Sequence, residues 1–323
     1  MLLTLQIKGP AKESKLVLLT GGWDGNSTFS SNEIFSPSFT ISCSPPSLPG
    51  ERSHHTTFLT AGEKPVVATC GGIDAGSDGP DSFLSSCLVL DAGTGRWEEN
   101  KIGSLLQKRS NHAAVTLDKF VYILGGITAS FSRESTTEFL LAGSRSWEQG
   151  PPIPVQMFTP CAVAISGERF LVIEGKEVRE FDVSIAGPTR SQGWKEWPKL
   201  KTSRSWQPGC TKIGDSVIVA GGSAYIAGTY QTTEILDLKT QKIRKGGNLV
   251  TARNSFHMIT FDNNGDSTTL ALGGKDDDRN ALKSIEKWNP ETETWSEVEE
   301  QLDEKRNSFG LVAAPKNIIC TLI

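Results

Sequence analysis

The chain has 323 residues, 37% hydrophobic and 8% aromatic, ample for one large domain and without room for a second of ordinary size. Its formal net charge is −4, and no Lys/Arg cluster or basic stripe interrupts the sequence, which argues against nucleic acid as its main partner. No apolar run approaches the ~18 residues that a membrane span requires.

Six short apolar runs recur along the chain: 15–20, 65–70, 120–124, 170–173, 216–220 and 268–272. They are too short for helices and rich in Val, Ile, Leu and Thr, so they are expected to be buried strands. Five end in a glycine pair, Gly21-Gly22, Gly71-Gly72, Gly125-Gly126, Gly221-Gly222 and Gly273-Gly274, and the fourth ends in Glu174-Gly175. Intervals between the second glycines run from 47 (222 − 175) to 54 (126 − 72) residues, a spacing typical of propeller blades. About 8 to 16 residues after each pair comes a second strand that usually carries Glu, as in Glu33, Glu138, Glu180, Glu234 and Glu286, with Cys87 in the second copy. An aromatic follows the next turn: Trp97, Trp147, Trp197 and Trp295, with Ile41 and Ile243 in the remaining copies. One such residue per repeat reads as a packing anchor between neighbouring sheets.

The diglycine, the Glu strand, the segment Asn289 to Trp295 and the Arg306-Asn307-Ser308 run after it together resemble the kelch repeat. The resemblance covers essentially the whole chain and implies an all-β fold, a six-bladed β-propeller built of four-stranded antiparallel kelch blades, as a single domain over residues 1–323. Blade four, with Glu174 in place of a glycine, departs most from the pattern. Two segments compete to supply the missing inner strand of blade one, Met1 to Ile7 and 309–314. The C-terminal segment is favoured because it follows an arginine, as the internal copies do.

Cys43, Cys70, Cys87, Cys161, Cys210 and Cys320 show no CxxC pair, so they read as buried small residues, with Cys70–Cys87 and Cys43–Cys320 as the pairs that closure of the ring would bring together. His55, His112 and His257 follow arginines at one repeat position, which marks a structural role; no metal and no cofactor is expected. The chain is expected to be cytoplasmic, or extracellular if sequence precedes Met1. Asn26-Ser27-Thr28 is a formal glycosylation triplet in a loop.

Five of the six junctions leading into an inner strand carry an arginine: Arg52, Arg109, Arg204, Arg253 and Arg306. In a propeller these junctions converge on one mouth, where guanidinium groups would suit carboxylates or phosphates; the competing reading is that they brace the blades. Ser205, Asn254 and Asn307 flank them, and the variable loops after the glycine pairs add Trp23, Phe131, Tyr225 and Tyr230. The expected function is a non-enzymatic adaptor or scaffold that binds a protein partner, through an acidic or Ser/Thr-bearing peptide, at this mouth. The alternative is a small-molecule-binding or enzymatic propeller, of the kind that isomerises sugars or redirects reactive metabolites.

Overall fold

The computed structural model describes residues 15–36, 43–76, 79–224, 226–263 and 266–320. Met1 to Ile7, Ile41, Tyr225 and the Asn264-Gly265 turn lie outside them. Among the described residues six antiparallel sheets form the blades of a six-bladed propeller, and two short ribbons, Arg109–Ser110 with Ile127–Thr128 and Ser223–Ala224 with Gly228–Thr229, lie beside them. Blades two to six each have four strands; blade one shows three among the described residues.

Blade two illustrates the unit. Thr56–Leu59 is innermost, Val67–Cys70 ends in the glycine pair, Cys87–Asp91 occupies the Glu-strand position, and Arg96–Glu99 is outermost. The diglycine strands are buried almost along their whole length, as in Leu16 to Thr20 and Val121 to Leu124. Each is flanked by two strands and covered on both faces, so continuous apolar runs are tolerated there.

The core is divided rather than central. Buried residues fall into six clusters, and each joins one blade to its neighbour. Tyr122 and Phe139 of blade three, for example, meet Phe170 and Phe181 of blade four. A single blade would leave both faces wet, so stability comes from ring closure. The four tryptophans serve these seams: Trp97, Trp147, Trp197 and Trp295 are all buried, and Trp147 of blade three meets Phe58 of blade two edge-on at 6.3 Å. Three of the four indoles donate a hydrogen bond, to the Pro46 carbonyl, the Gly103 carbonyl and Glu180.

The inner strand of blade one is Gly310–Pro315, which pairs antiparallel with Lys15–Thr20. All six cysteines are joined as disulfides, which replaces the reading of them as small buried thiols. Cys70 and Cys87 face each other across adjacent strands of blade two. Cys161–Cys210 links the inner strands of blades four and five, and Cys43–Cys320 ties the region after blade one's Glu strand to the chain beyond its closing strand.

Candidate functional site: the mouth of the propeller

The junction arginines sit in the wall of the propeller, not on its surface. Arg109, Arg204, Arg253 and Arg306 are 0% exposed, and Arg52 is nearly so. In every case one terminal nitrogen donates to the carbonyl of the first glycine of the blade that the arginine leads into: Gly125, Gly221 and Gly273 at 2.8 Å, Gly21 at 2.7 Å and Gly71 at 2.9 Å. Four of them also meet the Glu of that blade, at 2.8 Å for Arg109–Glu138, 3.3 Å for Arg204–Glu234, 2.6 Å for Arg253–Glu286 and 2.5 Å for Arg306–Glu33. The carboxylate in turn accepts two backbone N–H groups from the segment arriving from the previous blade, Val250 and Thr251 in the case of Glu286. Each trio is therefore a tie between blades.

The exceptions follow the same logic. In blade two, where Cys87 replaces Glu, Arg52 keeps, beyond the Gly71 carbonyl, only the bonds to the carbonyl and hydroxyl of Ser86 that the other arginines make to Thr136, Thr232, Ser284 and Ser31 beside their carboxylates, and burial lowers its pKa to about 10. In blade four Met157 holds the arginine's place, its carbonyl accepting the Gly126 N–H, and Glu174 accepts from the neighbouring Phe158 N–H and Thr159 hydroxyl. Burial raises its pKa, against the effect of those hydrogen bonds. The residue that breaks the glycine pair thus supplies the missing polar tie. The expectation that the guanidinium groups ring an open depression is corrected on this ground: their donors are directed at protein carbonyls and carboxylates.

The glycine pairs have a matching purpose. Gly71 has φ +66°, and a Cβ on it would lie 2.6 Å from the imidazole of His112 in the next blade; the first glycine admits a ring from the neighbour. Phe256 and Phe309 fill the same role against Gly221 and Gly273. His55 and His112 share their register with these phenylalanines, whereas His257 stands one position further along, so the three histidines are not equivalent. His55 and His112 are buried and His257 partly so, and desolvation, the dominant influence, holds His112 down to about 3 and His257 to about 4. They are neutral and structural, and among the described residues no cluster suited to a metal exists.

Two residues beyond each arginine the backbone turns left-handed: His54, Asn111, Trp206, Ser255 and Ser308 have φ between 51° and 56°. Their N–H groups form a collar around the channel, Ser255 donating to Trp206, Ser308 to Ser255, His54 to Ser308 and Asn111 to His54. Small polar residues suit this conformation; a tryptophan does not, and such strain is a pointer to function. Trp206 is 44% exposed and stacks edge-on against Phe158 at 5.3 Å, which itself lies under the Arg133 guanidinium.

Beside Trp206 lies a basin of about 530 Å³, walled by Trp23, Trp206, Ser223, Thr229, Asn254, Lys275, Asp277 and Arg279. Trp23 is held by an antiparallel bridge to Asn307, whose side chain donates to the Trp23 carbonyl. Asn254 is buried and spends its amide on the Thr229 hydroxyl; Ser205 bridges to Ser223. Asp277 accepts the Thr229 N–H at 2.8 Å. Lys275 and Arg279 make no ion pair among the described residues, and burial followed by the Arg279 charge lowers the Lys275 pKa. Tyr230 is half-buried under Arg204, 5.9 Å from its guanidinium. Phe131 projects away, 65% exposed, with one edge on Phe83. Of the residues expected at the site, the structure brings Trp23 and Asn254 to the basin and places Asn307 and Ser205 behind it. Trp206 and Lys275 were missed. A Trp where sister copies carry His, Asn or Ser was the available signal.

The Kelch motif family model matches residues 265–300, the glycine pair and Trp295 of blade six among them. The chain is a six-bladed propeller with a kelch motif in its sixth blade. Comparison with curated proteins finds no match. Among solved structures, one described as "Structure of YjhT" superposes with a TM-score of 0.67 at 12% identity, over 87% of this chain and 96% of that one; at that identity the likeness concerns the fold. The kelch match and the propeller fix the scaffold, and the function must be argued from the mouth.

Proposed function

We propose that this propeller is a non-enzymatic interaction module that binds a protein partner at the mouth, through an acidic segment laid across the basin over blade six. The reading rests on one observation above all. Trp206 is held half-exposed on a left-handed backbone, beside a lysine and an arginine that lack carboxylate partners among the described residues. Exposed aromatics that a rigid scaffold immobilises lose little entropy on binding and are the usual anchors of an interface. Unpaired cations beside them select carboxylates.

The test is affinity capture with wild type, Trp206→Asn and Lys275→Ala, alongside Arg253→Ala. Asn occupies the equivalent left-handed position at Asn111, so Trp206→Asn should keep the melting temperature. Loss of the same partner from both basin variants at unchanged melting temperature supports the reading; retention by both overturns it. The basin volume also falls within the range of small-ligand sites, which favours the enzymatic or small-molecule alternative as a second reading. Saturable thermal stabilisation by anionic sugars or carboxylates, abolished by Lys275→Ala, would replace the protein partner with that ligand class.

A further inference from the structure

We propose that this protein matures in an oxidising compartment and carries an N-linked glycan on Asn26. Two independent observations converge. The first is that every cysteine is consumed: one disulfide within blade two, one between blades four and five, and one across the ring closure, with sequence separations of 17, 49 and 277 residues. Three such bonds, no free thiol and no metal cluster among the described residues fit folding where thiols are oxidised, since reducing compartments keep cysteines as thiols.

The second observation is the placement of Asn26-Ser27-Thr28. The triplet forms the tip of a tight loop closed by an antiparallel bridge between Trp23 and Thr28. Asp24 holds the turn by accepting the N–H groups of Asn26 at 2.8 Å and Ser27 at 2.7 Å. Asn26 itself is exposed, and its side-chain amide is committed to no hydrogen bond. A Cβ on the preceding Gly25 would meet nothing within 4 Å, so there is open space for a bulky substituent. The segment takes no part in any blade interface, and no other Asn-X-Ser/Thr triplet occurs in the sequence. An acceptor triplet on such a loop, in a protein built with disulfides, is where modification is expected.

The transfer joins the Asn26 Nδ2 to C1 of a sugar donated by a polyprenyl-diphosphate-linked oligosaccharide. The sugar–phosphate bond breaks, the diphosphate leaves, and Nδ2 gives up one proton. The glycan root then lies three residues from Trp23, on the rim of the basin, and restricts the directions from which a partner reaches the mouth.

The natural full-length protein, from its own cells quenched in acid, is treated with a maleimide-polymer reagent with and without prior reduction, and separately with an amide-cleaving endoglycosidase. The expected results are no thiol labelled before reduction, six after it, and one increase in mobility on deglycosylation. That mobility step should be absent from Asn26→Gln and Thr28→Ala and present in Thr28→Ser. Six thiols labelled without reduction would overturn the compartment. Unchanged mobility on deglycosylation, or a step that persists in Asn26→Gln, would overturn the glycan.

Discussion

The arginine trio is the smallest unit whose chemistry decides anything in this molecule. Arg253 and Glu286 are both 0% exposed, so removing one partner leaves a buried charge without its counterion. Arg253→Ala should cost about 3–5 kcal/mol, read as a lower urea midpoint, whereas Trp206→Asn should stay within roughly 0.5 kcal/mol of wild type. The histidines give the protein its acid sensitivity. His112 and His257 titrate near 3 and 4 in the folded state instead of near 6.5, because burial disfavours their cations. The unfolded chain therefore binds more protons below pH 6.5. Stability is full above that pH and falls as pH drops from 6.5 towards 4, by up to ~1.4 kcal/mol per pH unit for each histidine. Denaturant midpoints measured between pH 7 and pH 4 should trace that loss, and His257→Asn should flatten the slope. At this scale the sequence was only half legible. A once-per-blade arginine advertises itself in the repeat, but whether its charge faces water or a neighbour's carboxylate depends on side-chain direction, which spacing does not encode. Trp206 was visible only by contrast with its counterparts.

The glycine pairs show how a strand's end can carry more information than its body. A Cβ on Gly72, which has φ +98°, would stand 2.5 Å from the Ser53 carbonyl, and backbone cannot step aside as a flexible side chain would. Gly175, at φ +60°, has only the Ser203 hydroxyl at 3.8 Å. Gly72→Ala should therefore prevent folding or cost well above 2 kcal/mol, while Gly175→Ala should cost about 1–2 kcal/mol, the conformational penalty alone; parallel thermal melts would separate the two. This level was the most readable from sequence. Short β-branched runs, glycine stops and a repeating Glu strand each specify local geometry, and their agreement in order identified the blade. Blade four was legible as an exception but not in its remedy, because inward rotation of Glu174 depends on the absence of a guanidinium supplied from another part of the chain.

For the whole molecule, closure is what converts six marginal sheets into one structure. The pairing of Gly310–Pro315 with Lys15–Thr20 joins residues nearly 300 positions apart, and Cys43–Cys320 fastens the same seam. Cys320→Ser should lower stability by about 2–5 kcal/mol, and the loss should appear as a lower melting temperature that reductant no longer affects at this bond. The disulfides themselves were only partly legible. Cys70–Cys87 and Cys43–Cys320 follow from the blade register, whereas Cys161–Cys210 requires knowing how two inner strands approach each other across the channel wall.

The collar at the channel neck runs from Asn111 through His54, Ser308 and Ser255 to Trp206, and among the described residues no backbone bond of this kind bridges Asn111 back to Trp206. A chain of bonds with two loose ends transmits displacement differently from a closed hoop. Deuterium uptake should be slowest at the amides of Ser308 and His54, in the middle of the run. It should be faster where blades three and four meet, so that the propeller breathes on the side of Phe158.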